Sequence, residues 1–373
     1  MPIVIRPYRE EHQPAVREFN RRLRSAGAEA DLVFFEFAKP HWLPPADGSK
    51  LFQEYFVALE NGMVRGGYAL KRQNFSFEDG ITRNVGYYHH PLSEGIVNKS
   101  YSAVGGMLLK DAMGRAPLLY CLGMAGYDRP LPQMLVRLGW SHFPVPFYFN
   151  VVRPRRFFAE MQALRRTASR RWLLDLLSLT GTGWAGIKAI QGLRKLRAGK
   201  LAPFAVERVE DFSEWVDPLW EQAKNHYAMT AVRDSQALRQ LYPATDRHFT
   251  RLRVRRNGQD VGWAVAGERR TDEKYGAMRV GSLLDCWASP DDALPVVQAA
   301  SAALIENGVD LIVSNQSHGL WGRALHQAGF LSSRSNFIFA AGKSLSALLQ
   351  PIEETQFKLH FTRADGDGLP RNF

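Results

Sequence analysis

Two stretches of this chain, about 195 residues apart, carry the same succession of signals, and that repetition restricts the fold more than any single motif does. Asn61-Gly62 and Asn257-Gly258 each sit between two strand-like runs. Gly66-Gly67-Tyr68 is answered by Gly262-Trp263, Val85-Gly86 by Val280-Gly281, and Gly139-Trp140 by Gly329-Phe330. A helix-like stretch follows the Val-Gly strand in both copies, and a second helix ends at the Gly-aromatic pair. Solenoid repeats recur every ~20–50 residues, so a period this long marks two copies of one domain.

Between and around these signals the periodicity predicts a hairpin, then strand, helix, strand, helix and strand in each copy. Asn-Gly flanked by alternating apolar residues is the strongest short-range hairpin signal. The expected product is an α/β fold of the α+β mixed-sheet kind, with helices packed on each sheet. The expected domains are residues 1–152 and 203–350, joined by a basic segment at 153–202 and followed by a tail at 351–373. Phe147 to Val152 is expected to close the first domain as a strand. Asn336 to Ala340 is expected to close the second, and Ala364 to Phe373 reads as a mobile end.

Charge is concentrated in the joining segment. Residues 153–200 hold twelve Lys or Arg against Glu160 and Asp175, so ten of the chain's net +11 charges lie there. Arg153-Pro154-Arg155-Arg156, Arg165-Arg166 and Arg170-Arg171 precede a Leu- and Trp-rich stretch. A field localised in this way steers particular partners. One expected partner is an anionic membrane surface, where each Lys or Arg contributes roughly 1 kcal/mol. A connector packed on the domains and an RNA-binding stripe are the other readings. Gly181-Thr182-Gly183-Trp184-Ala185-Gly186 matches a dinucleotide fingerprint, but it lacks the preceding strand that such a site needs. Two cysteines in 373 residues and no leader-like start predict a cytoplasmic protein, with a peripheral place at the inner membrane face as the alternative expectation. No His or Cys pair has ligand spacing near a third partner, so no metal is expected.

The Asn-Gly hairpin, the strand before a long helix, and the short helix ending in Gly plus an aromatic together resemble the GNAT superfamily of acyl-CoA-dependent N-acyltransferases. Two such units in one chain resemble tandem GNAT proteins, including FemAB-like and surface-polysaccharide-associated transferases. The resemblance implies acetyl-CoA or another acyl-CoA as co-substrate, bound where a glycine-rich turn exposes backbone amides at a helix N-terminus. Ser102, Val104, Gly105, Gly106 and Met107 stand at that place in the first copy. Ser102 replaces the family's basic residue and Met107 its last small one. The second copy has Asp291 and Asp292 there and no glycine, which directs the donor to the first copy. The family's Tyr, four residues before the closing Gly, is Leu135 in one copy and Leu325 in the other.

The implied acceptor is an amino group on a sugar or a lipid-linked glycan precursor, lying in a cleft between the copies. An aminoacyl-tRNA-dependent transferase and a non-catalytic membrane-associated protein are the alternatives. His89, His90 and Glu94, at the end of the third strand, are candidate bases, since a base near the working pH suits an amine acceptor. Strand alternation would turn only one of the two histidines toward a cleft. Asp285, Asn315, Ser317 and His318 are candidates for a polar substrate pocket in the second copy.

Overall fold

The computed structural model describes residues 2–160, 189, 192, 203–270 and 277–366. The first copy supplies, in chain order, β1 (Val4–Pro7), β2 (Phe52–Glu60), β3 (Met63–Phe77), β4 (Thr82–Ser93), β5 (Leu119–Gly123), β6 (Ser141–Pro144) and β7 (Phe147–Val151). Its helices are α1 (Gln13–Ser25), α2 (Val104–Arg115), α3 (Pro130–Arg137) and α4 (Pro154–Glu160). The second supplies β8 (Ala205–Val209), β9 (Met229–Ala231), β10 (Phe249–Arg256), β11 (Gln259–Arg270), β12 (Arg279–Ala288), β13 (Leu311–Asn315), β14 (Leu331–Ser333), β15 (Ile338–Ala341) and β16 (Leu359–His360). Its helices include α5 (Val216–Ala223), α6 (Ser235–Leu241), α7 (Ala293–Glu306) and α8 (Gly319–Gln327).

These elements form two compact units. One comprises Met1–Phe75, Thr82–His142 and Phe339–Ile352, and the other Ser76–Ile81, Phe143–Ile338 and Glu353–Phe373. The main strand path of the first sheet is β1-β2-β3-β4-β5-β15-β6, and the second sheet runs β8-β10-β11-β12-β13-β7-β14. Each order is the same once the copies are matched, and both main paths join an antiparallel hairpin to a parallel pair, β4 with β5 in one and β12 with β13 in the other. The expected mixed α/β fold with two units of one design is therefore the architecture.

The closing strands are exchanged. Phe147–Val151 pairs antiparallel with β13 and β14 in the second sheet, not with the first sheet as its sequence position suggested. Ile338–Ala341 reciprocally lies between β5 and β6. Strand propensity is a local property, whereas the sheet a strand joins depends on long-range pairing, so the pattern found the strands but misassigned their sheets.

The two Asn-Gly hairpins are present. Asn61 and Gly62 have φ of 50° and 78°, and Asn257 and Gly258 have 51° and 79°. Positive φ at both central residues matches the twist of the flanking strands, which is why Asn-Gly suits this turn. In the first unit, α1 buries Val16, Phe19 and Leu23 against Tyr55, Val57 and Ala69. On the opposite face, α2 buries Val104, Leu108, Leu109 and Ala112 against Phe56, Tyr68, Leu70 and Tyr88.

Residues 364–366, expected to begin a mobile end, are buried in the second unit. Leu359 and His360 form a parallel pair with Met229 and Thr230. Phe361 amide donates to Ser317 Oγ (2.8 Å), and Arg363 donates to Asn315 Oδ1 (2.7 Å). Among the described residues no helix is long and apolar enough to cross a membrane. The expected membrane- or tRNA-binding segment lies outside the described residues except for 153–160, 189 and 192. Within 153–160, Arg153 and Arg156 each pair with the buried Asp310 at 3.4 Å.

Candidate functional site

The parallel strands β4 and β5 pair over only two positions, Gly86 with Leu119 and Tyr87 with Tyr120. β4 then continues to Ser93 and β5 to Gly123 without further pairing to each other. The two strands therefore part, leaving backbone groups on either side of a wedge. Three of the six non-glycine residues with positive φ among the described residues border it: His90 (49°) on β4, and Met124 (61°) and Ala125 (59°) just after β5. Gly123 and Gly126 flank the latter pair at 111° and 117°. Left-handed backbone at a side-chain-bearing residue costs roughly 1–2 kcal/mol, and such strain gathers at functional sites.

Beside the end of β4 lies the start of α2. Gly66 of β3 makes this approach possible, because a Cβ there would stand 2.6 Å from the Leu92 carbonyl and 3.1 Å from Val104 Cγ1. Ala103 is the N-cap and gives no side-chain cap. The first intrahelical bond that leaves the cap is Met107 N–H to the Ala103 carbonyl at 3.1 Å. Helix geometry leaves the amides of Val104, Gly105 and Gly106 without intrahelical i−4 partners. Ser102, Ala103 and Gly106 are exposed, and a Cβ on Gly105 or Gly106 would meet nothing within 4 Å. Of the five residues expected here, Val104 is buried against the sheet and Met107 is half-buried. The turn is thus open, uncapped and positive in its dipole, which is the chemistry that receives an anion such as a phosphate.

The histidines of β4 both reach the α1 side of the sheet, against the alternation expected for adjacent strand residues. The positive φ at His90 breaks that alternation. His89 is buried, with Nε2 2.9 Å from Gln53 Oε1 and its ring stacked on Tyr87. Burial, reinforced by His90 and Lys71, pushes its pKa well below the usual value, so it is neutral. His90 Nε2 lies 2.7 Å from the Val33 carbonyl. A carbonyl only accepts, so Nε2 carries the proton and Nδ1 presents a lone pair. The rings of Phe35 and Tyr55, stacked at 4.3 Å, adjoin it.

Glu94 is buried beneath the turn that leads to α2. Arg22 and Arg65 each approach it to 3.0 Å. Burial alone would raise its pKa, but hydrogen bonds and attraction from the two guanidiniums outweigh that and lower it. Arg65 also pairs with Glu60 and lies over the Tyr101 ring, whose hydroxyl donates to Glu60. The carboxylate is held as the centre of an ion network between α1, β3 and the approach to α2.

In the second unit the corresponding strands also part, after Leu283 and Ser314. Here the chain's own C-terminal segment bonds to both sides. Thr362 Oγ1 donates to Asp285 Oδ1 (3.3 Å), and Ser317 N–H to the Phe361 carbonyl (3.2 Å). Asp285 accepts from Arg233 and Tyr242, each at 2.7 Å, and Arg233 also reaches Asp365 at 2.5 Å. Asn315 and Ser317 bond to this segment, and His318 Nδ1 caps α8 by accepting from Leu320 N–H. Three of the four residues expected to form a polar pocket, Asp285, Asn315 and Ser317, thus anchor residues 359–363, while His318 serves α8. Arg233, Thr362 and Asp365 complete that network without any signal in the local sequence. Gly123 and Gly126, with two residues between them at a strand end, were a legible sign of the strained turn in the first unit. Among the described residues no group of three or more His, Cys, Asp or Glu could hold a metal ion.

No protein-family model matches this chain, and no curated protein is similar to it in sequence. Among solved structures it is similar to a conserved Enterococcus faecalis protein described as a probable N-acyltransferase. That match has 10% identity and a TM-score of 0.51 over 94% of this chain and 74% of the other. It is also similar to Saccharomyces cerevisiae N-myristoyltransferase bound to myristoyl-CoA and inhibitors, at 10% identity and a TM-score of 0.52, over 91% and 80% of the two chains. A second structure of that enzyme with myristoyl-CoA gives 9% identity and a TM-score of 0.51, over 91% and 78%. Identity this low speaks for the fold alone: the chain shares the fold of these structures.

Proposed function

We propose that this protein is an acyl-CoA-dependent N-acyltransferase whose donor site lies in the first unit. The observation that carries this reading is the open, uncapped first turn of α2, with Gly105 and Gly106 facing free space beside the parted strands. The turn suits the pyrophosphate of a coenzyme A thioester, and the wedge suits its extended arm. The solved N-myristoyltransferase structures of similar fold contain myristoyl-CoA, which supports the same donor class.

The acceptor is an amine, and His90 is the base, taking a proton on Nδ1. Glu94 orients the approach to α2 through its arginines. The aromatic surface of Phe35 beside His90 suits the apolar face of a sugar ring, consistent with an amino sugar or lipid-linked glycan acceptor. The basic segment at 153–200 would bring the chain to an anionic membrane carrying such a precursor.

Calorimetric titration with acetyl-CoA and longer acyl-CoAs tests the donor. Micromolar binding that weakens with salt is expected, and no heat across the series would end this reading. Replacing His90 with Gln should lower kcat by about 100-fold or more while leaving donor affinity unchanged, as expected for a lost general base.

A further inference from the structure

The hydroxyl of Tyr88 is fully buried and has no hydrogen-bond partner in the protein. The neighbouring tyrosines behave differently. Tyr87 donates to the Leu122 carbonyl at 2.8 Å, Tyr68 to Asp111 at 2.5 Å, and Tyr101 to Glu60 at 3.0 Å. An unpaired buried hydroxyl destabilises the fold, and phenylalanine would fill the same volume without that cost. A residue that breaks this rule calls for a partner that arrives from outside.

Its place in the fold suggests the partner. Tyr88 follows Tyr87, the last residue of β4 to pair with β5, so it stands where the strands begin to part. Tyr87 turns to the α1 side, where it stacks on His89 and Tyr120. Tyr88 turns to the other side, against Val104 and Leu108 of α2, Cys121 of β5 and Leu135 of α3. Its ring lies 5.2 Å from that of Tyr68. The ring is therefore packed among α2, β4 and β5, the three elements that frame the donor site, and the polar groups that act on its hydroxyl are Cys121, Tyr68 and Asp111.

We infer that the Tyr88 hydroxyl donates a hydrogen bond to the carbonyl oxygen of the bound acyl thioester and to the negative charge that gathers there during transfer. This role rests on the donor reading given above. As the acceptor nitrogen bonds to the carbonyl carbon, the C–S bond breaks and its electron pair leaves on sulfur. The surplus amine proton passes to His90 and then to solvent, and the thiolate takes a proton from solvent. Tyr88 keeps its own proton throughout, which burial favours by pushing the phenol far above its ordinary range.

Tyr88→Phe separates this role from a structural one. The thermal midpoint of the free variant should equal or exceed that of the wild type, because no internal bond is lost. Acetyl-CoA should bind the wild type about tenfold more tightly than coenzyme A itself, and the variant should lose that margin. In infrared difference spectra, the carbonyl band of carbon-13-labelled acetyl-CoA should move to lower frequency on binding the wild type and stay unshifted in the variant. Transfer to amine acceptors should slow by about 100-fold with little change in KM, as for one lost oxyanion donor. An equal band shift in both proteins, or a midpoint several degrees lower in the variant, would overturn the role. If the wild type binds no acetyl-CoA at all, the donor reading fails at that first titration and this role falls with it.

Discussion

Gly66 and Gly262 hold the same place in the two copies, and the same physical demand explains both. A Cβ on Gly262 would lie 2.5 Å from the Trp287 carbonyl and 2.6 Å from Val296 Cγ2, as one on Gly66 would crowd Leu92 and Val104. In each unit the helix sits so close to the strand that only glycine fits. Gly66→Ala should therefore destabilise the protein by about 1–3 kcal/mol through overpacking, read as a lower denaturation midpoint. His318 carries a second residue-scale prediction. Burial, aided by Arg323 and His226, lowers its pKa to about 4, and its Nδ1 must stay unprotonated to cap α8. Unfolded, it titrates near 6.5, so between those values the unfolded chain binds the extra proton. Its stabilising contribution is full above about pH 6.5 and is lost as pH falls toward 4, amounting to about 3 kcal/mol over that window. His318→Asn keeps a capping side chain and should flatten the acid limb of a stability–pH curve. An unchanged slope would show that another group titrates there.

At the scale of elements, α2 gives up stability where it is open. Gly105 and Gly106 both occupy its first turn with free space around them, and each costs about 1 kcal/mol relative to alanine in a helix. Changing both to Ala should raise the thermal midpoint while weakening acyl-CoA binding at least tenfold, since methyl groups would stand where phosphates approach. A rise in both quantities would place the donor elsewhere. Much of this element was legible beforehand: glycines after a strand and before a helix expose amides, whatever the rest of the chain does. The hairpins were legible because Asn-Gly sets its own backbone. The facing of His89 and His90 was not, because one positive φ in a strand leaves no pattern in apolar spacing. The exchange of β7 and β15 was equally hidden, since each strand meets its partners only across more than a hundred residues of chain.

At the scale of the whole molecule, the duplicated fold supplies two partings of parallel strands and treats them differently. In the first unit the wedge borders strained backbone and an uncapped helix. In the second, residues 357–363 bond to both β12 and the end of β13. The anchor is Arg233, buried between Asp285 and Asp365, whose attraction more than offsets the cost of burying the guanidinium and raises its pKa. Removing one partner of such a group leaves buried charge uncompensated, at about 3–5 kcal/mol. Arg233→Met should therefore lower unfolding stability by that amount while leaving acetyl-CoA affinity at the first unit unchanged. Because the second wedge is filled from within, titration of the intact chain should give one donor per molecule, not two. A stoichiometry of two would mean that the C-terminal segment leaves its place readily. The Arg233 variant would then bind the second donor more tightly than the wild type, because the segment's anchor has been cut. On the donor reading, duplication has kept one parting for the donor and given the equivalent strands of the other to residues 357–363.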